Sequence, residues 1–375
     1  MTAPRKRIQS RRVRYGVVGL GHIAQSAVLP AFAHAEENSE LAALISDDAE
    51  KLEKLGRKYR VHERLSYEDY DGLLRSGTVD AVYIALPNHL HRDYAVRAAD
   101  AGVHVLCEKP LAVTAEDCRA MIDAADRNGV KLMTAYRLHF EEANLKAVDM
   151  AQSGRLGELR FFSSDFAMTV KPGDIRLNPH AEGGGTLYDI GIYCINAARY
   201  IFQDEPSEVF AMATASGEPH FEHVEESVSA VLRFPGERVA SFTCSFNAAD
   251  VATYRVVGTK GDLVVDKAYE YAGEISHRMT VNGRTREKAF PQRDQFAPEL
   301  VHFSDCVMSG ADPEPNGWEG LVDVRVIEAL YASVANGEPV ALPPFTKRDR
   351  PSLDQEMRKP KVSEPKLVNT EAPSE

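Results

Sequence analysis

Along the first third of the chain, short β-branched apolar runs alternate with stretches whose apolar positions recur at helical spacing. Strands are predicted at 13–19, 41–45, 80–86, 103–107 and 131–134, with helices at 23–35, 49–59, 94–101 and 115–128 between them. Runs apolar on both faces and joined by crossover helices imply a parallel sheet covered on both sides, expected to hold six strands although five are marked. After residue 136 the rhythm changes to a helix at 141–152, a strand at 159–165, a charged loop, and a glycine-rich break leading into a helix up to 201. Alternating segments at 227–234, 238–246, 253–258 and 262–265 then predict a mostly antiparallel sheet, and helices at 298–308 and 320–336 close the body. The expected fold is an α/β Rossmann domain over 13–135 followed by an α+β domain with an open-faced sheet over 136–345. The segment 346–375 has almost no large apolar residues, so it is expected to be disordered or an extended arm laid on a neighbour.

Composition narrows the function. With 44 basic against 56 acidic side chains the formal charge is −12, which repels a polyphosphate backbone and argues against nucleic acid. The basic residues do gather in an N-terminal arm, 1–12, at Arg5-Lys6-Arg7 and Arg11-Arg12. A twin-arginine export signal requires an apolar stretch and cleavage site after the pair, whereas here a domain strand begins, so a solvated extension is the better reading. No apolar run nears the roughly 18 residues that span a bilayer, so no membrane association is expected. Five cysteines, Cys107, Cys118, Cys194, Cys244 and Cys306, form no metal spacing, which fits reduced thiols in a cytoplasm and no metal site.

Three constellations carry the chemistry. Gly19-Leu20-Gly21-His22-Ile23-Ala24 lies between the first strand and the first helix, where such a loop receives a dinucleotide pyrophosphate. At the end of the second strand Ser46, with Lys51 five residues on, suits the 2′-phosphate of NADP, while Asp47 argues for the free ribose of NAD; NADP is favoured. Leu86-Pro87-Asn88, with His91 beyond it, and Glu108-Lys109-Pro110 end later strands at the carboxyl edge, where ligands of open α/β sheets bind. Lys109 is read as catalytic, the competing reading being an ion pair with Glu108 that only tethers the loop. In Gly183-Gly184-Gly185-Thr186-Leu187-Tyr188-Asp189-Ile190-Gly191-Ile192-Tyr193, helical spacing puts Asp189 and Tyr193 on one face. The glycines ahead of them admit another segment at close range.

Together with Tyr136-Arg137-Leu138-His139 and Gln295-Phe296, these motifs resemble the Gfo/Idh/MocA oxidoreductases, and within them the glucose–fructose oxidoreductase branch, over residues 13–340. The resemblance implies NADP as cofactor, Lys109, Asp189 and Tyr193 as the catalytic set, and Arg137 and Arg176 near the cofactor. Tyr193 stands where most relatives place histidine, and Ile175 stands where the glucose–fructose enzyme has tryptophan. The implied reaction is oxidation of an aldose at C1 to a lactone, Tyr193 taking the hydroxyl proton beside the Lys109 ammonium. A second sugar would re-oxidise tightly held NADPH. A freely exchanging D-xylose or dihydrodiol dehydrogenase, and a non-catalytic cofactor sensor or scaffold, are the alternatives. The resemblance further implies a homodimer or homotetramer formed through the open sheet.

Overall fold

The computed structural model describes residues 12–347 and 349–374; Arg5, Lys6, Arg7 and Arg11 of the basic arm lie outside the described residues. Six parallel strands form the first sheet: β1 (Val13–Val18), β2 (Ser39–Ile45), β3 (Glu63–Leu65), β4 (Ala81–Ile84), β5 (His104–Glu108) and β6 (Leu132–Ala135). Their order, β3-β2-β1-β4-β5-β6, sets β1 against β4 and so creates the switch point at which a crevice opens beyond the strand ends. All of β4 is buried, as the unbroken apolar run Ala81-Val82-Tyr83-Ile84 requires of a strand covered on both faces. The sequence pattern does not mark β3, because three residues with an exposed glutamate at the sheet edge leave no periodicity to read.

Two of the crossover helices start at side chains that take a free amide group. After α1 (Leu29–Ala31), Asp48 caps α2 (Ala49–Tyr59) by accepting from the Lys51 amide; α3 (Tyr70–Ser76) and α4 (His91–Asp100) follow; Thr114 caps α5 (Ala115–Asn128) through the Asp117 amide. The first crossover, expected as one helix at 23–35, is wound in three ways: a π segment over Ala24–Val28, then α1, then a 3₁₀ turn over Phe32–His34.

The second domain begins with α6 (Glu142–Gln152) and contains β7 (Leu159–Thr169), α7 (Ile192–Phe202), β8 (Glu208–Thr214), β9 (Ser227–Phe234), β10 (Arg238–Ser245), β11 (Asn247–Gly258), β12 (Gly261–Asp266), β13 (Ile275–Val281) and β14 (Arg284–Phe290). With β15 (Val340–Ala341) they make a nine-stranded sheet, antiparallel except where β7 pairs with β10. One face packs on α6 and α7; the other is open and exposes Phe161, Met212, Val231 and Val239. Helix α8 (Ala297–Ser309) covers β1 and β2, and α9 (Gly317–Asn336) lies against α5 and β6 of the first domain and against α7 and β8 of the second. Among the described residues no helix is long and apolar enough to cross a membrane, and no group of side chains is arranged to hold a metal ion.

A buried ion network ties α9 to the rest. The fully buried Arg199 guanidinium donates to Glu205 (2.5 Å), Glu319 (2.8 Å) and Asp323 (2.6 Å), and Tyr136 Oη donates to the other Asp323 oxygen. Burial, and then the neighbouring Glu319, push the Asp323 carboxyl up to about 6 despite the guanidinium. From the tail, Lys347 reaches Glu314 and Glu319, and Arg350 reaches Glu205. From there the tail makes a 3₁₀ turn over Leu353–Gln355 and lies on its own chain, the Gln355 side-chain amide donating to the Glu314 carbonyl and the Met357 backbone amide to that of Phe140. Replacing Arg199 with Met would strand these carboxylates without their central cation, which typically costs about 3–5 kcal/mol. Equilibrium urea unfolding of Arg199→Met should show a loss of that size; a loss under about 1 kcal/mol would mean the network is not a stabilising hub.

Candidate active site

The crevice has a glycine-lined rim. Gly19 follows β1 with φ +93°, and a Cβ there would lie 2.5 Å from the Ala85 carbonyl oxygen, so only glycine fits between the ends of β1 and β4. A Cβ on Gly21 would meet nothing within 4 Å, so the loop borders open space there. The buried Leu20 and Ala24 and the partly buried Ile23 anchor the loop beneath, and the Gln25 amide donates to the Leu20 carbonyl. His22 faces the Asp174–Arg176 side of the second domain, and burial followed by the charge of Arg176 lowers its pKa. Backbone amides at the head of this helix, open on one side, fit a dinucleotide pyrophosphate. At the neighbouring strand end, buried Ser46 accepts from the Asp48 amide (3.2 Å) while Asp47 accepts from the Tyr67 amide (3.0 Å). Lys51 stands in the first turn of α2.

The strand ends β4 and β5 supply the next wall. After Leu86-Pro87, the Asn88 amide donates to the Gly183 carbonyl (2.8 Å) and so joins the domains across the crevice. His91 does not line the site as expected. It has no exposed surface, and its ring nitrogens lie 2.9 Å from the Leu86 and Pro110 carbonyls, so it braces the two loops from behind. Glu108 accepts from Tyr83 Oη (2.8 Å) and the Lys109 amide (3.2 Å), and burial pushes its carboxyl up. The Lys109 ammonium pairs across the domains instead of with Glu108.

Its partner is Asp189. The ammonium donates to the Asp189 carbonyl (2.7 Å) and to Oδ1 (3.0 Å), while Arg176 Nε donates to Oδ2 (2.6 Å). Burial would raise this carboxyl, but Arg176 and Lys109 outweigh it and hold the group well below the usual carboxylate range. Burial likewise works against the Lys109 charge and loses to Asp189, which leaves the ammonium above its ordinary value. Asp189 sits in a π winding, Leu187–Gly191, immediately before α7, a distortion of the expected regular helix that recurs at functional sites.

Tyr193, half-buried one turn on, completes the set. Lys109 Nζ lies over its ring, 4.9 Å from the centroid, and the cation at the phenol oxygen is Arg137, whose Nη2 donates at 3.3 Å. The sequence reading placed an ammonium there and gave Arg137 only to the cofactor. Two residues to which it gave no role hold this guanidinium: Gln295 accepts from Nη1 and the Tyr269 carbonyl from Nη2. Gln295 stood in a quoted motif; nothing in sequence marks Tyr269. Asp174, two residues before Arg176, accepts from its Nη1 (3.1 Å) and was also missed.

Residues 13–136 match the family model for the NAD-binding Rossmann fold of an oxidoreductase family, and residues 144–264 match the C-terminal domain model of the same GFO/IDH/MocA group. The chain belongs to the Gfo/Idh/MocA oxidoreductases. It is 40% identical to the aldose–aldose oxidoreductase of Caulobacter crescentus, a likeness covering 88% of this chain and 100% of that one with a TM-score of 0.84. A D-xylose 1-dehydrogenase [NADP(+)] of Haloarcula marismortui is 31% identical over 85% of this chain and 90% of its own. The 3-ketoreductase KijD10 of Actinomadura kijaniata, solved with NADP and TDP-benzene, is 28% identical with a TM-score of 0.79, over 86% of this chain and 98% of that one.

In this Gfo/Idh/MocA enzyme the glycine triplet fixes the Arg176 loop. A Cβ on Gly184 would lie 1.8 Å from the Asn178 carbonyl oxygen and 3.0 Å from that of Arg176. Gly184→Ala must therefore push residues 176–178 away and loosen Arg176 from Asp189. Overpacking of this kind costs about 1–3 kcal/mol. A lowered melting temperature together with at least a tenfold fall in kcat/KM is expected; an unchanged rate would show that the loop can shift without disturbing the ion pair.

Proposed function

We propose that the protein is an NADP-dependent sugar oxidoreductase that oxidises an aldose at C1 to the lactone. The observation that carries this reading is the meeting of Lys109, Asp189, Arg137 and Tyr193, drawn from both domains, at the carboxyl ends of the Rossmann strands. The names of the Caulobacter and Haloarcula relatives support the substrate class. NADP is favoured over NAD because the residue just after β2 is the short, neutral Ser46, with Lys51 nearby, and because Asp47 is already engaged by the Tyr67 amide.

A nicotinamide dinucleotide held by the Gly19–Gly21 loop would supply the acceptor for the C1 hydride. Removing a hydride from an alcohol carbon requires the hydroxyl proton to leave as well, so a base must reach that oxygen. In this reading the base is Tyr193 Oη, to which the Arg137 guanidinium donates while the Lys109 ammonium lies over the ring. Asp189 does not compete for the proton, because Arg176 and Lys109 keep it ionised. Two of the three Lys109 ammonium protons go to Asp189, which leaves one donor for the reacting sugar oxygen. Arg137, held by Gln295 and the Tyr269 carbonyl, keeps its place at the phenol as the substrate changes.

The reading extends to the second half-reaction: NADP(H) stays bound, and another sugar enters the same pocket to collect the hydride. The competing reading is a dehydrogenase of D-xylose or a dihydrodiol that exchanges its nucleotide with solution. Denaturing the purified protein and assaying the supernatant separates them: close to one NADP(H) per chain is expected, and an empty supernatant overturns tight retention. For the chemistry, Tyr193→Phe should lower the rate of lactone formation from an aldose panel by about 10²–10⁴-fold, the usual range for losing a general base, while NADPH still binds by fluorescence titration. A mutant at the parent rate would remove the tyrosine from the reaction.

A further inference from the structure

The tail has too few apolar side chains to hold itself in place, yet its final residues are pinned at successive points. Upstream it is fastened by Arg350 to Glu205 (2.8 Å) and by the Lys359 carbonyl to the Asp294 amide (3.3 Å). It then reaches the dinucleotide rim. The buried Gln25 side chain clasps Val368 by both ends of its amide: Oε1 accepts from the Val368 amide (2.8 Å) and Nε2 donates to the Val368 carbonyl (2.9 Å). The same Nε2 donates to the carbonyl of Leu20 in the glycine loop, so the clasp and the cradle share one side chain. At Asn369 the backbone turns through φ +47°, a left-handed conformation that asparagine tolerates. Its side-chain amide donates to Asp48 (3.1 Å) and Glu50 (2.9 Å) at the head of α2, beside Ser46. Finally the Pro373 carbonyl accepts from the Lys171 amide (3.0 Å), and Ser374 bridges to Val170, at the start of the second-domain loop that carries Arg176.

These contacts lie on both sides of one opening. Those of Val368 and Asn369 are on the Rossmann domain, at the helix that follows the glycine loop and at the head of α2. The last is on the second domain. We propose that residues 368–374 are part of the dinucleotide site, a strap laid over the bound nucleotide that must unclasp before NADP(H) can leave. This rests on reading the site as an NADP(H) site, and it supplies the physical basis for the retention proposed with it. Asn369 is the residue best suited to close the adenosine end: a neutral amide satisfies two carboxylates at once and adds no negative charge beside a 2′-phosphate.

Two changes in the full-length chain test this. Val368→Pro removes the amide that donates to Gln25, and Asn369→Asp sets a third carboxylate against Asp48 and Glu50. Each protein is loaded with NADPH, and release is followed by the fall in nicotinamide fluorescence after mixing with excess NADP⁺; limited proteolysis reports whether the tail has lifted. Release at least tenfold faster in both variants, with the tail newly cleaved, is expected. Unchanged or slower release from a variant whose tail is cleaved overturns the strap. Turnover of aldoses is read separately. A parent chain that oxidises no sugar, yet releases NADPH at least tenfold more slowly than both variants, keeps the strap and loses the substrate assignment. A parent chain that binds no NADPH loses the strap with the site.

Discussion

The site depends on one buried carboxylate answering two cations that arrive from different domains. Asp189 receives Lys109 from the end of β5 and Arg176 from the loop after β7, and the two cations repel one another through the space it fills. In a low-dielectric enclosure an uncompensated ammonium costs several kcal/mol, and Lys109 has Asp189 as its anion, whereas Arg176 divides its charge between Asp189 and Asp174. The glycine triplet, the Asn88 bridge and the π winding all serve to bring that carboxylate to within hydrogen-bond distance of both.

The phenol is positioned by a second, independent set of constraints. The chain crosses between domains at Tyr136-Arg137-Leu138-His139, and the flanking side chains are fixed: Tyr136 to Asp323, His139 to Asn196 (2.9 Å). Arg137 between them reaches Tyr193, held by Gln295 and the Tyr269 carbonyl. The buried network around Arg199 thus reaches the reacting groups through three hydrogen bonds and the Tyr136–Arg137 peptide bond, although none of its carboxylates touches them.

Much of this was written in local patterns, and the misses share a cause. The Rossmann strands were legible because burial on both faces leaves unbroken apolar runs, as in β4; β3 was not, being short, polar and at an edge. The glycine loop, Lys109, Asp189 and Tyr193 were legible because strand-to-helix junctions and helical spacing fix where such side chains emerge. The pairing of Lys109 with Asp189 instead of Glu108, the Arg137 contact to the phenol, and the Tyr269 carbonyl beneath it are long-range contacts that periodicity does not encode. His91 carried the chemistry of a ligand contact, yet two backbone carbonyls behind the loops claim its ring. The tail shows the limit most plainly, since low apolar content says that a segment cannot fold alone and says nothing of what it will lie upon.

The π winding over Leu187–Gly191 separates the robustness of the fold from that of the chemistry. A π turn is an α-helix carrying one extra residue, and loss of that residue lets the backbone relax to ordinary α geometry with its hydrogen bonds intact. Each residue of an α-helix turns the chain by about 100°, so such a shortening would swing Asp189 out of register with α7 while the apolar face of α7 stayed packed. A single-residue deletion there would leave the topology of the domain standing while parting Lys109 and Arg176 from their shared anion, so the chemistry and the stability lent by those ion pairs would be lost together.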